Sequence, residues 1–250
     1  MRTIDLSNKT AIVTGSSQGI GLTTAETLHA AGANVVINYF ADPQGHNESL
    51  ARAAVSKIGS RAIACAADVR KPAELAGMME QAVKSFGSLD ILVNNAGILR
   101  DRSLKKMSSS EWSDVIDTNL TGVFHSCQAA MPHLAEGGTI VNIASLAAVM
   151  GFFGQANYAS AKAGVIALTK VLSKELARQK VRVNAVAPGV VDTEMGQSIP
   201  AENRAAMLTN IPLARFAQPT EISDVVLFLC SDLATYVTGQ TIHVNGGWWA

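Results

Sequence analysis

The sequence predicts an α/β fold in which seven parallel strands form one doubly wound sheet, and three observations carry that expectation. Short β-branched runs alternate with longer stretches of helical periodicity, a glycine-rich turn directly follows the first run, and no Pro/Ser-rich linker, repeat or low-complexity tract divides the 250 residues. Such alternation implies right-handed βαβ units and a parallel sheet covered by helices on both faces. A chain of this length can bury one sizeable core, so residues 1–250 read as a single domain.

The elements follow in order. TAIVT (10–14) is the first strand, and TGSSQGIG (14–21) turns it into a helix. NVVIN (34–38) is the second strand, followed by the loop FADPQGHN (40–47), and AIACA (62–66) is the third. Apolar residues then recur at helical spacing over 72–86. DILVN (90–94), TIVNI (139–143), VRVNAV (181–186) and QTIHVN (240–245) supply strands four to seven, and a long helix covers 158–178. The longest irregular stretch is 188–219. Ligands of open α/β sheets sit beyond the carboxyl ends of the strands, so its portion 190–215 is expected to be a substrate lid.

Composition excludes several classes of partner. The chain is 48% hydrophobic and 16% charged, with a formal net charge of zero, and no Lys/Arg run interleaves with aromatics. Neither nucleic acid nor an anionic membrane has a docking patch, which leaves small molecules and copies of the chain itself. The amino terminus lacks the apolar core of a signal peptide, and no apolar run approaches the roughly 18 residues of a spanning helix. A cytoplasmic location is expected. Cys65, Cys127 and Cys230 are scattered in apolar surroundings and read as reduced, buried thiols. The five histidines have no metal-ligand spacing, and no metal is expected.

The glycine-rich turn has a specific chemistry. Gly15 permits the tight turn, Gly19 lets the backbone approach a pyrophosphate, and Gly21 allows the helix to pack on the sheet, while the helix amides and dipole hold the anion. With a strand before it and a helix after it, the turn reads as the phosphate loop of a Rossmann-type fold, with the spacing G-x-x-x-G-x-G, although glycines also serve ordinary turns. At the end of the second strand, where such folds often place an acid on the adenosine ribose, stand Asn38, Tyr39 and Phe40. Without a carboxylate to repel a 2′-phosphate, NADP(H) is favoured and NAD(H) is the alternative. The loop offers Gln18 and no Arg or Lys to pair with the phosphate, so Ser16, Ser17 and Asn38 are the candidate hydrogen-bonding partners.

In SLAAVMGFFGQANYASAKAG (145–164) a phenol and an ammonium stand four residues apart among small and apolar residues. On a helix Tyr158 and Lys162 share one face. A phenol with a pKa of about 10 is poorly matched to proton transfer at neutral pH, and a neighbouring cation would stabilise its phenolate.

TGSSQGIG, NNAG (94–97), Asn119 in DTNLTGVF, Ser145 in NIASL and YASAK occur in the order and spacing of the short-chain dehydrogenase/reductase family, which the chain resembles nearly end to end. Within it the resemblance is greatest to bacterial 3-oxoacyl-acyl-carrier-protein reductases, through GQANYASAKAGVIALTK, VRVNAVAPGVVDTEM and YVTGQTIHVNGG. The resemblance implies a catalytic tetrad. Tyr158 would give a proton to a carbonyl oxygen as hydride arrives from the nicotinamide, Lys162 would hold the nicotinamide ribose, and Ser145 would bond the substrate oxygen. Asn119 would interrupt its helix and hold a water linked to Lys162.

For the cofactor it implies Gly15, Ser17, Gln18, Gly19, Ile20, Gly21 and Asn38, with Asp68 and Val69 at the adenine and Asn95, Ala96 and Gly97 passing the adenosine. Pro188, Gly189, Val191 and Thr193, with Tyr158 and Lys162, would complete the nicotinamide end. Asp68 is equally placed to cap the helix ahead of Pro72. Ser145, Phe152, Phe153, Gln155 and Tyr158 would meet the substrate. The two phenylalanines could form an apolar pocket with Leu146, Met150, Val190, Val191 and Met195, or could pack the lid or a subunit contact instead.

The implied reaction moves hydride between NADP(H) and a ketone or secondary alcohol, most similar to reduction of a carrier-bound 3-oxoacyl thioester, in a homotetramer. Rival readings are an NAD(H)-dependent dehydrogenase of a sugar, steroid or aromatic alcohol, and a dinucleotide-binding sensor or scaffold without turnover. One departure bears on the carrier. Relatives that use it commonly show basic residues near the end of the helix after Asn119, whereas QAAMPHLAEGGTIV has His133 and Glu136 there. Trp248 and Trp249, at the very end of the chain, suggest a subunit interface.

Overall fold

Residues buried from both sides make the strands: all four residues of Thr10–Val13 and all six of Leu89–Asn94 are buried, as a sheet covered on both faces requires. The structure is a computed structural model and describes residues 3–197, 199 and 201–249, with the side chains of Met195 and Ala201 outside the described set. In chain order the elements are β1 (Thr10–Val13), α1 (Gly19–Ala30), β2 (Asn34–Tyr39), α2 (His46–Ile58), β3 (Ala62–Ala66), α3 (Pro72–Phe86), β4 (Leu89–Asn94), α4 (Ser109–Ile116), α5 (Gly122–Ala130) and β5 (Leu134–Ile143). Then come α6 (Ala147–Met150), α7 (Ala156–Glu175), β6 (Arg182–Pro188), α8 (Glu194–Gln197), α9 (Ala201–Leu208), α10 (Pro219–Cys230) and β7 (Thr241–Val244).

The strands form one sheet in the order β3-β2-β1-β4-β5-β6-β7, and every pairing is parallel. The order reverses between β1 and β4. That switch point opens a crevice at the carboxyl ends of the strands, where such sheets bind ligands. Ile12, Leu92 and Ile140 meet Leu75, Met79, Val165 and Leu172 of α3 and α7 on one face. Val35, Ile37 and Val93 meet Leu28 of α1 and Ile222, Val226 and Leu229 of α10 on the other. Each such side chain contributes roughly 1.5–3 kcal/mol by leaving water.

All seven strands and the helix at 72–86 lie where the sequence places them, with ends differing by a residue or two except in β5, which begins at Leu134 rather than 139. Its pairing with β4 shifts register between Leu89 and Ile91, and the turn residues Glu136 and Gly137 are exposed within it. The stretch 188–219 is not irregular throughout: α8 and α9 lie in it.

Candidate active site

Four loops at the carboxyl edge of the sheet enclose a cleft of ≈ 550 Å³. The turn after β1 lines it with Gly15, Ser17, Gln18, Gly19, Ile20 and Gly21; the ends of β2 and β3 add Asn38, Asp68 and Val69; the turn after β4 adds Asn95, Ala96 and Gly97; and Tyr158, Lys162 and Thr193 close the far end. These are fifteen of the residues that the sequence reading assigns to a dinucleotide.

The glycine turn has the shape of an anion cradle. Gly19 has φ +59°, and a Cβ there would meet only Thr193 Cγ2, at an ordinary contact distance of 3.9 Å, so the loop backbone faces the cleft nearly bare. Gln18, which opens α1, gives the first helix amides no side-chain cap, and those N–H groups remain to bind an anion. On this geometry the residues fit a dinucleotide.

Asn38 behaves differently from expectation. Its Oδ1 accepts from Gly15 N at 2.9 Å and its Nδ2 donates to the carbonyls of Cys65 and Ala67 at 3.2 and 3.1 Å. Ser16 Oγ is likewise spent, donating to Val13 O and accepting from Asn38 N. Neither side chain is left to hold a 2′-phosphate. They tie the glycine turn to β2 and β3 instead, because a buried amide must satisfy its own bonds.

Asp68 does not cap α3 either. Its carboxylate takes a fork from Arg70, with Nε at 2.9 and 3.0 Å and Nη2 at 2.6 Å. The Arg70 guanidinium holds the carboxyl below the usual range, against the opposing effect of burial. Glu74 supplies the return bond, accepting from Asp68 N at 2.8 Å.

At the other end of the cleft Lys162 is buried and donates from Nζ to Ile143 O at 2.7 Å; the same nitrogen lies 5.7 Å from the centroid of the Tyr158 ring. Burial lowers the lysine to about 8. Burial also raises the half-buried Tyr158, with the Ser145 hydroxyl pulling the other way and the Asp101 carboxylate pushing further up. Loss of solvation, not the Lys162 cation that the sequence led us to expect, decides the direction for the phenol in the free protein. Gly97 lets these groups meet: a Cβ there would sit 3.3 Å from Asn119 Oδ1 and 3.7 Å from Lys162 Nζ.

Asn119 interrupts its helix as expected, in a π-helical turn over Asp117–Thr121 between α4 and α5. Fully buried, it accepts from Ile98 N at 2.8 Å and donates to Ile98 O at 2.9 Å. Ser145 follows β5, and its Oγ accepts from Ala147 N at 3.1 Å. Asn157, absent from the sequence reading, anchors the start of α7. It donates to the carbonyls of Arg100 and Glu111 and accepts from Tyr158 N at 2.7 Å.

Other assigned residues stand behind or outside the cleft. Pro188 and Gly189 continue β6, and a Cβ on Gly189 would come within 3.0 Å of Asn245 Cα, so its smallness serves packing against the end of β7. Val191 is buried and bridges to Ala217. Of the residues offered for an apolar pocket or for packing, Phe153 is 94% exposed, Phe152 packs on Trp248 with ring centroids 5.4 Å apart, and Leu146 is in the core. Val190 lines a separate small cavity with Leu213 and Gly246, and the side chain of Met195 lies outside the described residues. Gln155 donates to Asp101 at 2.8 Å, fastening the segment before α7 to the loop after β4. The cleft contains groups that the motifs did not reveal, among them Phe40, Arg70, Arg100 and Asp114. Phe40 stood at the end of the second strand in the sequence reading without an assigned role, and Arg70 carried a signal in its position two residues after Asp68.

Comparison with known proteins is consistent along the chain. The family model described as enoyl-(acyl carrier protein) reductase matches residues 15–249. The 3-oxoacyl-[acyl-carrier-protein] reductase FabG of Staphylococcus aureus is 48% identical over 244 residues, covering 96% of this chain and 97% of that one. Among solved structures, a short-chain dehydrogenase/reductase from Brucella melitensis, titled glucose/ribitol dehydrogenase, superposes with a TM-score of 0.92 at 36% identity and covers 100% of both chains. A short-chain dehydrogenase from Burkholderia cenocepacia, solved in complex with NADP, also gives 0.92, at 33% identity over 98% of this chain and 99% of that one.

Proposed function

The chain belongs to the short-chain dehydrogenase/reductase family, and we propose that within it the protein reduces a 3-oxoacyl thioester borne on an acyl carrier protein, with NADPH as reductant. It is an oxidoreductase acting on CH–OH and C=O groups. The observation that carries the finer reading is the 48% identity over 244 residues to the 3-oxoacyl-[acyl-carrier-protein] reductase FabG of Staphylococcus aureus, and the placing of Tyr158 and Lys162 in one cleft with the glycine turn supports it. NADPH, when bound, supplies the hydride.

Tyr158 gives the proton to the carbonyl oxygen, so that hydride on carbon and proton on oxygen make the alcohol. Ser145 aligns that oxygen and shares the developing charge. Lys162, below its pKa of about 8, is the cation that stabilises the phenolate left behind. Asn119, held at both ends by Ile98, fixes the π turn beside the lysine, where a water would return the proton. The segment 190–215, with its two short helices, acts as the lid.

Exposed Trp112 and Phe124 on α4 and α5, with Leu233 and Tyr236 after α10, support assembly into a homotetramer; light scattering tests it. We place the reaction in the cytoplasm, and among the described residues no helix is long and apolar enough to cross a membrane.

The deciding assay follows oxidation of NADPH and of NADH with an acetoacetyl thioester and with a bulky aryl ketone. Fast NADPH-linked reduction of the thioester is expected. Turnover confined to the aryl ketone or to NADH overturns the reading.

A further inference from the structure

The cleft has one end that the catalytic groups do not use, beyond β2 and β3. Directly past β2 the chain offers no free acid for a ribose hydroxyl: Asn38 is spent on backbone groups, Tyr39 is buried, and the next carboxylate, Asp42, accepts from His46 N and Asn47 N at 3.0 and 2.8 Å to start α2. The cations of the adjoining helices are also engaged. Arg52 holds Glu48, Lys57 holds Glu26 and Lys71 holds Glu74.

Arg70 is also paired, to Asp68, but differs from these in position and in geometry. It lines the cleft, and its Cζ lies 5.7 Å from the centroid of the Phe40 ring, directly past the end of β2. Asp68 grips it through Nε and Nη2 only, and Nη1 has no hydrogen-bond partner among the described residues. A guanidinium braced on one edge by a buried carboxylate and on one face by an aromatic ring loses little freedom when its remaining edge meets an anion. Its planar donors suit a phosphate.

We propose that Arg70 binds the 2′-phosphate of NADPH through this free edge, with Asp68 as its strut and Phe40 as its platform. Arg70 thus takes the role that the glycine turn, with Gln18 in place of a cation, does not fill. The inference rests on the NADPH reading and gives it a residue.

The test is calorimetric binding of adenosine 2′,5′-bisphosphate and of 5′-AMP, which probe the subsite without turnover. The unaltered protein is expected to bind the bisphosphate at least about tenfold more tightly than the monophosphate, and Arg70→Ala to weaken the bisphosphate alone, by about 10–100-fold. Arg70→Lys, which keeps charge but not the fork, falls between. Circular dichroism of each variant reports the fold. A bisphosphate-to-monophosphate ratio unchanged in Arg70→Ala and lost in Gln18→Ala overturns the assignment of Arg70 while the NADPH reading stands. No preference for the bisphosphate in the unaltered protein overturns both.

Discussion

Burial acts in opposite senses on the two titrating groups at the reacting centre. It holds Tyr158 above the ordinary phenol value and draws Lys162 down to about 8, because each is moved toward its neutral form. Reduction needs the phenol protonated and the ammonium charged. The first condition holds throughout neutral pH, and the second fails as pH rises past about 8. The kcat/KM for thioester reduction is therefore expected to be level near neutrality and to fall on the alkaline side with the loss of one proton; a profile rising through that range contradicts it. Tyr158→Phe removes the donor without moving the cradle, so kcat should fall about 10²–10⁴-fold while the cofactor dissociation constant, read by fluorescence quenching, changes by far less than kcat. Unaltered kcat would mean that Tyr158 is not the proton donor.

The α4–π turn–α5 unit is built from its two ends. Ser108 caps α4, its Oγ accepting from Glu111 N at 3.1 Å while Glu111 Oε2 accepts from Ser108 N at 2.8 Å. Ser108→Ala should cost about 1 kcal/mol in urea unfolding. A change several-fold larger would mean that the cap also holds the π turn. That turn is where sequence reading meets its limit. The resemblance implied an interruption at Asn119, but its form depends on bonds to Ile98, 21 residues earlier, and on Leu120 lying where a Cβ of Gly164 would meet it at 2.8 Å. Local propensity does not record contacts of that kind.

Across the whole molecule, the switch point between β1 and β4 sets both the cleft and the stability of its walls. Leu92 is fully buried in central β4, and Leu92→Ala should cost about 2–5 kcal/mol, lowering the urea midpoint with the slope unchanged. A cost below 1 kcal/mol would show that the sheet collapses onto the gap. The seven strands, the glycine turn and the Tyr158–Lys162 pair were legible in the sequence because each depends on periodicity or spacing within one short segment. The pairing of Asp68 with Arg70, the commitment of Asn38 to β3 and the form of the turn at Asn119 were not, although all three involve residues the sequence reading had marked. Phe152 and Phe153 show the same limit from the substrate side: their apolar character is plain, but whether they face substrate, solvent or Trp248 depends on how distant loops pack. The sequence by itself determined the strand order's ingredients and which chemical groups the cleft would contain. Only the tertiary structure decided which of those groups remain free to act, because a polar side chain must satisfy its hydrogen bonds wherever the fold buries it, and its partners come from residues far along the chain.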